Sequence, residues 1–153
     1  MMTDKPIRVL FLCTGNACRS QMAEALLRKL GGDRFDVHSA GSIPSGVFRE
    51  TLRALAEIGI DGRAQHSKHW SVYLNAPAFD YVITLCAPEA QNCPILPGEG
   101  RHLHWPFEDP ASAIGTDQER MEVFRRVRDQ LADQIRRFFL NPERRTPKSN
   151  TER

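Results

Sequence analysis

The fold is decided by the stretch IRVLFLCTGNACRS, residues 7–20, which begins with the pattern of a β-strand and ends where the pattern of an α-helix starts. Residues 7–12 form a short apolar run after a proline, which is typical of a buried parallel strand. Beyond Ser20 the alanines and leucines recur at helical spacing until the pair Gly31-Gly32, where we expect the helix to end. A strand, a tight loop and a helix in direct succession are typical of an α/β protein.

Strand and helix signals continue to alternate along the chain. Apolar or β-branched runs predict further strands at residues 35–41, 80–85 and 103–105. An apolar spacing at residues 48–55 predicts a helix that ends near Gly59. Because strands that alternate with helices form covered parallel sheets, we predict a three-layer α/β fold. It consists of a four-stranded parallel sheet with helices on both faces.

The last predicted helix has the clearest pattern in the chain. Its apolar stripe recurs at steps of three and four residues and consists of Met121, Phe124, Val127, Leu131, Ile135 and Phe138. The residues before it spell a capping box, in which Thr116 and Glu119 satisfy each other's backbone N–H groups. We expect this stripe to pack in the core.

Length and composition are those of one globular domain. The chain of 153 residues is 41% hydrophobic and 26% charged, and its net charge of +2 is too small to predict nucleic-acid binding. It has neither a membrane-spanning apolar run nor a secretory signal, so we expect a cytoplasmic protein without a membrane partner. We expect a monomer with one domain over residues 1–140 and a disordered basic tail over residues 141–153.

The loop between the first strand and the first helix contains the groups that an anion-binding nucleophile needs. Its amides and the helix N-terminus form a partly positive nest, and Arg19 adds a planar fork that binds two oxygens of a tetrahedral anion. The same positive field favours the thiolate of Cys13, the form that attacks. Cys18 is expected to pack inward rather than react. The predicted oxyanion-binding and loop-supporting residues are Thr14, Gly15, Asn16, Ala17, Cys18 and Ser20.

Two further segments with reactive side chains come after later strands. Cys86 comes directly after the third predicted strand, and Asp109 lies in the loop after the fourth. Because ligands of parallel sheets bind at the carboxyl ends of the strands, we expect both segments beside the Cys13 loop. Asp109 precedes Pro110, which favours an extended backbone and an inward carboxyl group. That carboxyl group can protonate an oxygen that leaves a tetrahedral centre.

Cys86 and Cys93 form a second cysteine pattern. In a regular helix their spacing of two turns would separate the Cα atoms by about 10 Å, whereas disulfides rarely span more than about 7 Å. A direct bond therefore requires the segment to unwind, which Pro94 and Pro97 favour at its far end. We favour a redox pair. Two small buried side chains and part of a zinc site are the alternatives, although zinc needs more ligands than this pair supplies.

These residues resemble a known family. Residues 13–24 are similar to the anion loop and first helix of the low-molecular-weight tyrosine phosphatase superfamily, and residues 39–41 match it as well. Residues 84–97 and 104–110 resemble one branch of it, the thioredoxin-coupled arsenate reductases. The resemblance spans residues 7–139, and the spaced cysteine pair is what points to the reductase branch.

The resemblance implies an activity without a cofactor or a metal. Arsenate would bind to the loop amides and Arg19, Cys13 would attack the arsenic, and Asp109 would assist the departure of an oxygen. Cys86 would then attack Cys13 and release arsenite. Cys93 would attack Cys86 in turn and leave a Cys86–Cys93 disulfide, which thioredoxin reduces.

The resemblance also implies roles for residues around the loop. Ser20 is expected to hydrogen-bond the Cys13 thiolate. Some family members hold a potassium ion with a further aspartate and with matches to Asn16, Glu24 and Ser39. Lys68 stands at the position of that aspartate, and we expect its ammonium group to replace the ion as a point charge.

Two other functions remain open at this point. A low-molecular-weight protein tyrosine phosphatase, or a phosphatase of small phosphate esters, would use Cys13, Arg19 and Asp109 unchanged but would not need the later cysteine pair. A thiol sensor or arsenite-binding module would use the three cysteines as soft ligands. Arg19 and Asp109 argue against this module, because a neutral trivalent ligand needs neither of them.

Overall fold

Strands and helices alternate along the described part of the chain, which comprises residues 5–87, 93–94, 96–98 and 100–141 of the computed structural model. The strands are β1 (Ile7–Cys13), β2 (Phe35–Gly41), β3 (Tyr81–Thr84) and β4 (Arg101–His104). The α-helices are α1 (Arg19–Gly31), α2 (Arg49–Ala56) and α3 (Asp117–Ile135). A π-helical turn over Arg136–Leu140 continues α3.

The four strands form one parallel sheet in the order β2-β1-β3-β4. In its register Cys13 lies opposite Gly41, while Leu12 lies beside Thr84 and Thr84 beside His104. The carboxyl ends of the strands are therefore level, and the loops beyond them meet at one edge. The predicted four-stranded parallel sheet is confirmed.

The two faces of β1 pack against different layers. Val9 and Phe11 lie in the larger core cluster with the buried residues of α1, α2 and α3. Leu10 and Leu12 face the other way, into a smaller cluster that the short 3-10 helix Trp70–Tyr73 covers. Helices thus lie on both faces, as predicted, and within the described residues the α-helices share one face.

The final helix agrees with its sequence pattern. The Glu119 N–H donates to Oγ1 of Thr116 at 3.0 Å, and the Thr116 N–H donates to Oε1 of Glu119 at 2.8 Å, which confirms the capping box. Every residue of the predicted apolar stripe is buried. In the π-helical turn, Phe138 packs edge-on against Trp105, with ring centroids 5.5 Å apart. The final helix therefore closes the core over the sheet.

Some boundaries differ from those predicted. β4 begins at Arg101 rather than at Leu103, because at this edge strand only Leu103 is buried and the flanking residues give no apolar signal. β3 is shorter than the predicted 80–85. Among the described residues, none of the helices has the length and apolar character that crossing a membrane requires. Of the predicted tail, residues 142–153 lie outside the described residues.

Candidate active site

The loop after β1 turns back through one left-handed residue, Asn16, whose φ is 48°. Its carbonyl accepts a hydrogen bond from Nε2 of Gln21 at 3.0 Å, and Gln65 donates to Oε1 of Gln21 at 2.6 Å. Gly41 faces the loop so closely that a Cβ there would lie 2.5 Å from the Thr14 carbonyl oxygen. The tight loop is therefore fixed by side chains on one side and by the absence of a side chain on the other.

Cys13 lies at one end of a buried series of hydrogen bonds. Its Sγ is 2.9 Å from Oγ of Ser20. Nδ2 of Asn16 donates to Ser20 at 2.7 Å and to Ser39 at 3.0 Å. The Ser39 hydroxyl donates to Oε1 of Glu24 at 2.5 Å. All five residues are at most 5% exposed, so the series connects the Cys13 thiol to the buried carboxyl group of Glu24.

Arg19, the first residue of α1, joins two other segments to the loop. Its Nη1 donates to the carbonyl of Leu85 at 3.2 Å and to that of Phe107 at 3.1 Å. The side chain is buried, and its Nε has no hydrogen-bond partner among the described residues. A buried guanidinium with a spare donor is a group that a bound oxyanion would satisfy.

Asp109 lies at the edge of the same site. Its Oδ2 is 3.6 Å from Nη2 of Arg19, and its Oδ1 accepts from the Ala111 N–H at 3.0 Å. The residue is extended (φ −90°, ψ 107°), the conformation that the following proline favours. Its side chain remains 41% exposed. The carboxyl group is thus close to the arginine and open to solvent.

The predicted loop residues surround one cavity of about 250 Å³. Cys13, Arg19 and Asp109 all line it, and the wall is completed by Thr14, Gly15, Ala17, Cys18, Ile43, Ser45, Phe48 and Ala111. The Cys13 thiol, the Arg19 guanidinium and the Asp109 carboxyl group therefore open onto a common space, which is large enough for a tetrahedral oxyanion. Asn16 and Ser20 lie behind this wall, where they hold the loop.

Cys18 packs inward, as the sequence predicts. The residue is 3% exposed, and burial raises the pKa of its thiol to about 12, against the opposing effect of a hydrogen bond with Thr51. Thr51 also donates to the Ala17 carbonyl at 2.9 Å. Cys18 is therefore a protonated structural thiol that fixes the loop to α2.

Cys86 and Cys93 form a disulfide, with Cα atoms 5.8 Å apart. Neither residue lies in a helix, in agreement with the unwinding that a bond requires; residues 88–92 between them lie outside the described residues. Cys86 is fully buried, its Sγ is 3.8 Å from Oγ1 of Thr14, and Cys93 is half-buried. Within the described part of the chain, no three His, Cys, Asp or Glu side chains group as metal ligands. The pair is joined by a disulfide and lies beside the loop of residues 13–19, which we call the anion loop.

Lys68 and Glu24 lie near each other, but the charged group of each makes its short contact with a different residue. Nζ of Lys68 donates to the His66 carbonyl at 3.0 Å, whereas Oε2 of Glu24 is 2.6 Å from Nη2 of Arg28. Burial lowers the pKa of Lys68, and the charge of Glu24 opposes this shift. The backbone N–H of Lys68 donates to Oδ1 of Asn16 at 3.0 Å. Arg28 is therefore the direct counter-charge of the buried carboxylate.

Sequence reasoning missed several residues that support the site. Arg28 had a detectable signal, because it stands four residues after Glu24 on the same helix, a spacing that brings opposite charges together. Gln21, Gln65 and Thr51 had none, since their contacts depend on how distant segments pack.

The fold and the anion loop define a class of protein, and the comparison with known families agrees with it. The sequence profile of the family described as low molecular weight phosphotyrosine protein phosphatase matches residues 8–148. The chain belongs to this family.

Similar proteins narrow the class to one branch. An arsenate reductase of Halalkalibacterium halodurans is 48% identical over 130 residues, which are 85% of this chain and 93% of that protein. The solved structure of an arsenate reductase in the phosphate binding state is 34% identical, with a TM-score of 0.70 over 84% of this chain and 93% of that chain. A thioredoxin-dependent arsenate reductase of Corynebacterium glutamicum is 30% identical, with a TM-score of 0.57 over 88% of this chain and 64% of that chain. These relatives place the chain among the arsenate reductases of the family.

Proposed function

We propose that the protein is an arsenate reductase that converts arsenate to arsenite through a three-cysteine relay and is recycled by thioredoxin. The observation that carries the proposal is the Cys86–Cys93 disulfide beside an anion loop whose Cys13 is free. An anion loop alone serves a phosphatase equally well. A redox pair at the same edge of the sheet adds the two electrons that reduction of an oxyanion needs.

The first step forms a bond between sulfur and arsenic. Arsenate binds to the loop amides and to Arg19, and the Cys13 thiolate attacks the arsenic. One arsenic–oxygen bond breaks, and Asp109 supplies the proton with which that oxygen leaves as water. The arsenic is still pentavalent at this stage. The contact of 3.6 Å between Asp109 and Arg19 supports this role, because it brings the acid to the anion that the arginine holds.

The next steps move two electrons from thiols to arsenic. The Cys86 thiolate attacks the sulfur of Cys13, the sulfur–arsenic bond breaks with both electrons on arsenic, and arsenite leaves. Cys93 then attacks Cys86 and displaces the Cys13 thiolate. The resulting Cys86–Cys93 disulfide is the bond present in the structure. A dithiol of thioredoxin reduces it, a step that the thioredoxin-dependent relative supports.

The remaining loop residues support this chemistry without reacting. Thr14, Gly15 and Ala17 line the cavity, and in this proposal their backbone amides contribute to anion binding. Asn16 and Ser20 orient the nucleophile, and Cys18 anchors the loop.

We also propose that the reaction has no potassium requirement. The groups that would hold an ion are already used, since Glu24 accepts from Ser39 and Arg28, and Oδ1 of Asn16 accepts from the Lys68 backbone. Arg28, with Lys68 nearby, supplies the positive charge that an ion would bring. A tight and specific activation by potassium over sodium would contradict this proposal.

The relay requires that its thiols be reduced again after each cycle. We propose that the enzyme works in the cytoplasm, where a reducing environment returns the thiols to their active form. All proposed catalytic groups come from one chain, so a monomer over residues 1–140 suffices. Nucleic acid, a membrane and a cofactor have no part in the steps above.

The relay is tested by supplying arsenate with thioredoxin, thioredoxin reductase and NADPH, and by following NADPH consumption. The wild type is expected to turn over many times, and the Cys93→Ser variant at most once. Cys18→Ser is the matched control, because it removes a buried cysteine that the relay does not use. Repeated turnover by Cys93→Ser would show that the relay is wrong.

Phosphatase activity is the second candidate function. The family match and the arrangement of Cys13, Arg19 and Asp109 favour it, because the same attack on a phosphate monoester needs no further thiol. Rapid hydrolysis of 4-nitrophenyl phosphate without arsenate-dependent NADPH consumption would favour this function over reduction.

A further inference from the structure

The loop that carries Asp109 is ordered internally but needs an external anchor. We call residues 109–115 the acid loop. The Asp109 carbonyl accepts from the Ser112 N–H at 3.1 Å, and the Pro110 carbonyl accepts from the Ala113 N–H at 3.1 Å. These bonds fix the shape of the loop, not its position relative to the anion loop. Pro110 is buried and Ala111 packs against the core, but the Asp109 side chain is 41% exposed, so the position of its carboxyl group depends on contacts such as that with Arg19 and on where the rest of the loop is held.

Arg120 provides an anchor from α3. Its Nη1 donates to the Ala113 carbonyl at the end of the acid loop, and its Nε and Nη2 each lie 3.2 Å from Oε2 of Glu50 on α2. The side chains of Arg120 and Glu50 are only 23% and 13% exposed. A partly buried arginine that is shared between a carboxylate and a carbonyl holds a definite orientation, since its planar fork fixes the directions of the bonds.

The same end of α2 is attached to the anion loop. The Phe48 N–H donates to the Ala17 carbonyl at 3.2 Å, and Oγ1 of Thr51 donates to that carbonyl at 2.9 Å. Glu50 lies between these two residues. A continuous series of contacts therefore runs from the anion loop through α2, Glu50 and Arg120 to the acid loop.

We propose that Arg120 and Glu50 are positioning residues that set the place of the Asp109 carboxyl group over the anion loop. The inference rests on the proposed function, in which Asp109 protonates the departing oxygen. A small displacement of an acid from its hydrogen-bonding position slows proton transfer strongly, while binding of the anion to the loop amides and Arg19 is unaffected. Loss of the contacts that Arg120 makes with Glu50 and the acid loop should therefore lower kcat and leave KM for arsenate nearly unchanged.

The test is a double-mutant cycle of Arg120→Met with Asp109→Asn, measured as steady-state arsenate reduction. Arg120→Met is expected to lower kcat by about tenfold and to change KM by less than about twofold. In the Asp109→Asn background the same substitution should have no further effect, because the group that it positions is gone. An equal loss in both backgrounds, or no loss in either, overturns the proposal.

Arg53→Met is the matched control. Arg53 also joins α2 to α3, through an ion pair of 3.0 Å with Asp117. Both side chains are exposed, and this ion pair does not involve the acid loop. Its kcat should equal that of the wild type. If Arg120→Met does not fold, Glu50→Gln replaces it, because it removes the charge and keeps the shape.

The proposal can fail separately from the proposed function. If the wild type reduces no arsenate, the function is wrong, and the same cycle is then measured on 4-nitrophenyl phosphate hydrolysis, which needs the same acid. If the effects of the two substitutions on hydrolysis are not additive, the positioning role of Arg120 is still supported. If they are additive, that role is rejected.

Discussion

Oγ of Ser20 lies 2.9 Å from Sγ of Cys13. The same oxygen accepts a hydrogen bond from Nδ2 of Asn16, and toward a Cys13 thiolate, which can only accept, the Ser20 hydroxyl is the donor. The orientation of the Asn16 amide is fixed in turn, because Oδ1 accepts from the Lys68 N–H. The loop therefore places a hydroxyl group, itself held by Asn16, next to the sulfur that is proposed to attack.

Removal of this donor should slow the attack of Cys13. For Ser20→Ala we expect a loss of about tenfold or more in the rate of single-turnover arsenate reduction, since a hydrogen bond to a charged group contributes about 1.5–3 kcal/mol. Alkylation of Cys13 by iodoacetamide at neutral pH should slow in parallel. Ser45→Ala is the control, because Ser45 lines the same cavity but is not part of the series of hydrogen bonds that joins Cys13 to Ser20 and Asn16. Equal alkylation rates in Ser20→Ala and the wild type would contradict this role.

The two free cysteines should differ sharply in reactivity. Burial raises the pKa of Cys18 to about 12, so its thiol stays protonated, and hence unreactive, at any pH well below that value. In the folded disulfide form we therefore expect iodoacetamide to modify Cys13 alone between pH 7 and about 9. Mass spectrometry of the alkylated peptides measures this directly. Modification of Cys18 at a comparable rate would show that its environment is more open than the structure indicates.

The Glu24–Arg28 pair should contribute to stability. Arg28→Met leaves the Glu24 carboxylate, whose side chain is 7% exposed, without its counter-charge, and we expect a loss of about 2 kcal/mol in the free energy of unfolding. The expected loss is smaller than for a fully buried pair because half of the Arg28 side chain is exposed, at 51%. Denaturant unfolding measures it, with Lys29→Met as the neighbouring control on the same helix.

A second substitution separates charge from packing at this pair. Glu24→Gln in the Arg28→Met background should recover part of the lost stability, because it removes the buried charge that lacks a partner. If the double variant is less stable than Arg28→Met, the loss reflects packing of the arginine rather than its charge.

The ion pairs of Glu57 predict a pH dependence of stability. Hydrogen bonds from Arg125, then Arg128, lower the pKa of Glu57 from 4.5 to about 2 and join the end of α2 to α3. Because the folded-state pKa is the lower one, the contribution is complete above pH 4.5 and is lost as the pH falls toward 2. We expect Glu57→Gln to cost about 1 kcal/mol at neutral pH, since solvent screens a carboxylate whose side chain is 35% exposed.

Thermal unfolding of wild type and Glu57→Gln across this pH range tests the linkage. The difference in stability should be constant above about pH 5 and should shrink as the pH falls through the window. Asp33→Asn is the control, because Asp33 is an exposed carboxylate that lies outside α2 and α3. A difference that grows toward acid pH would contradict the assignment.

How far the sequence predicts this molecule depends on the range of each interaction. The loop from Cys13 to Arg19 is contiguous, so its chemistry is visible in the sequence. Cys86 and Asp109 are remote, but each lies beyond the end of a strand, and parallel strands bring their C-terminal loops to one edge of the sheet. These positions were therefore predictable from topology alone.

The supporting contacts were not predictable in the same way. Arg120 reaches Glu50 and Thr51 reaches Ala17 only because α2 packs against both α3 and the anion loop. No local pattern encodes such pairings, since they depend on the relative placement of helices. The edge strand β4 was misplaced for a related reason: its exposed residues carry no apolar alternation.

The burial of Cys86 gives the proposed cycle a direction. Within the disulfide, Cys93 is half-buried whereas Cys86 has no exposed area, so a reductant from solution meets Cys93 first. The sulfur that leaves is then Cys86, beside Thr14 and the anion loop. Electrons would therefore enter the pair at the accessible sulfur of Cys93, and the thiolate released at the buried end, Cys86, would be the one that attacks Cys13 in the next cycle.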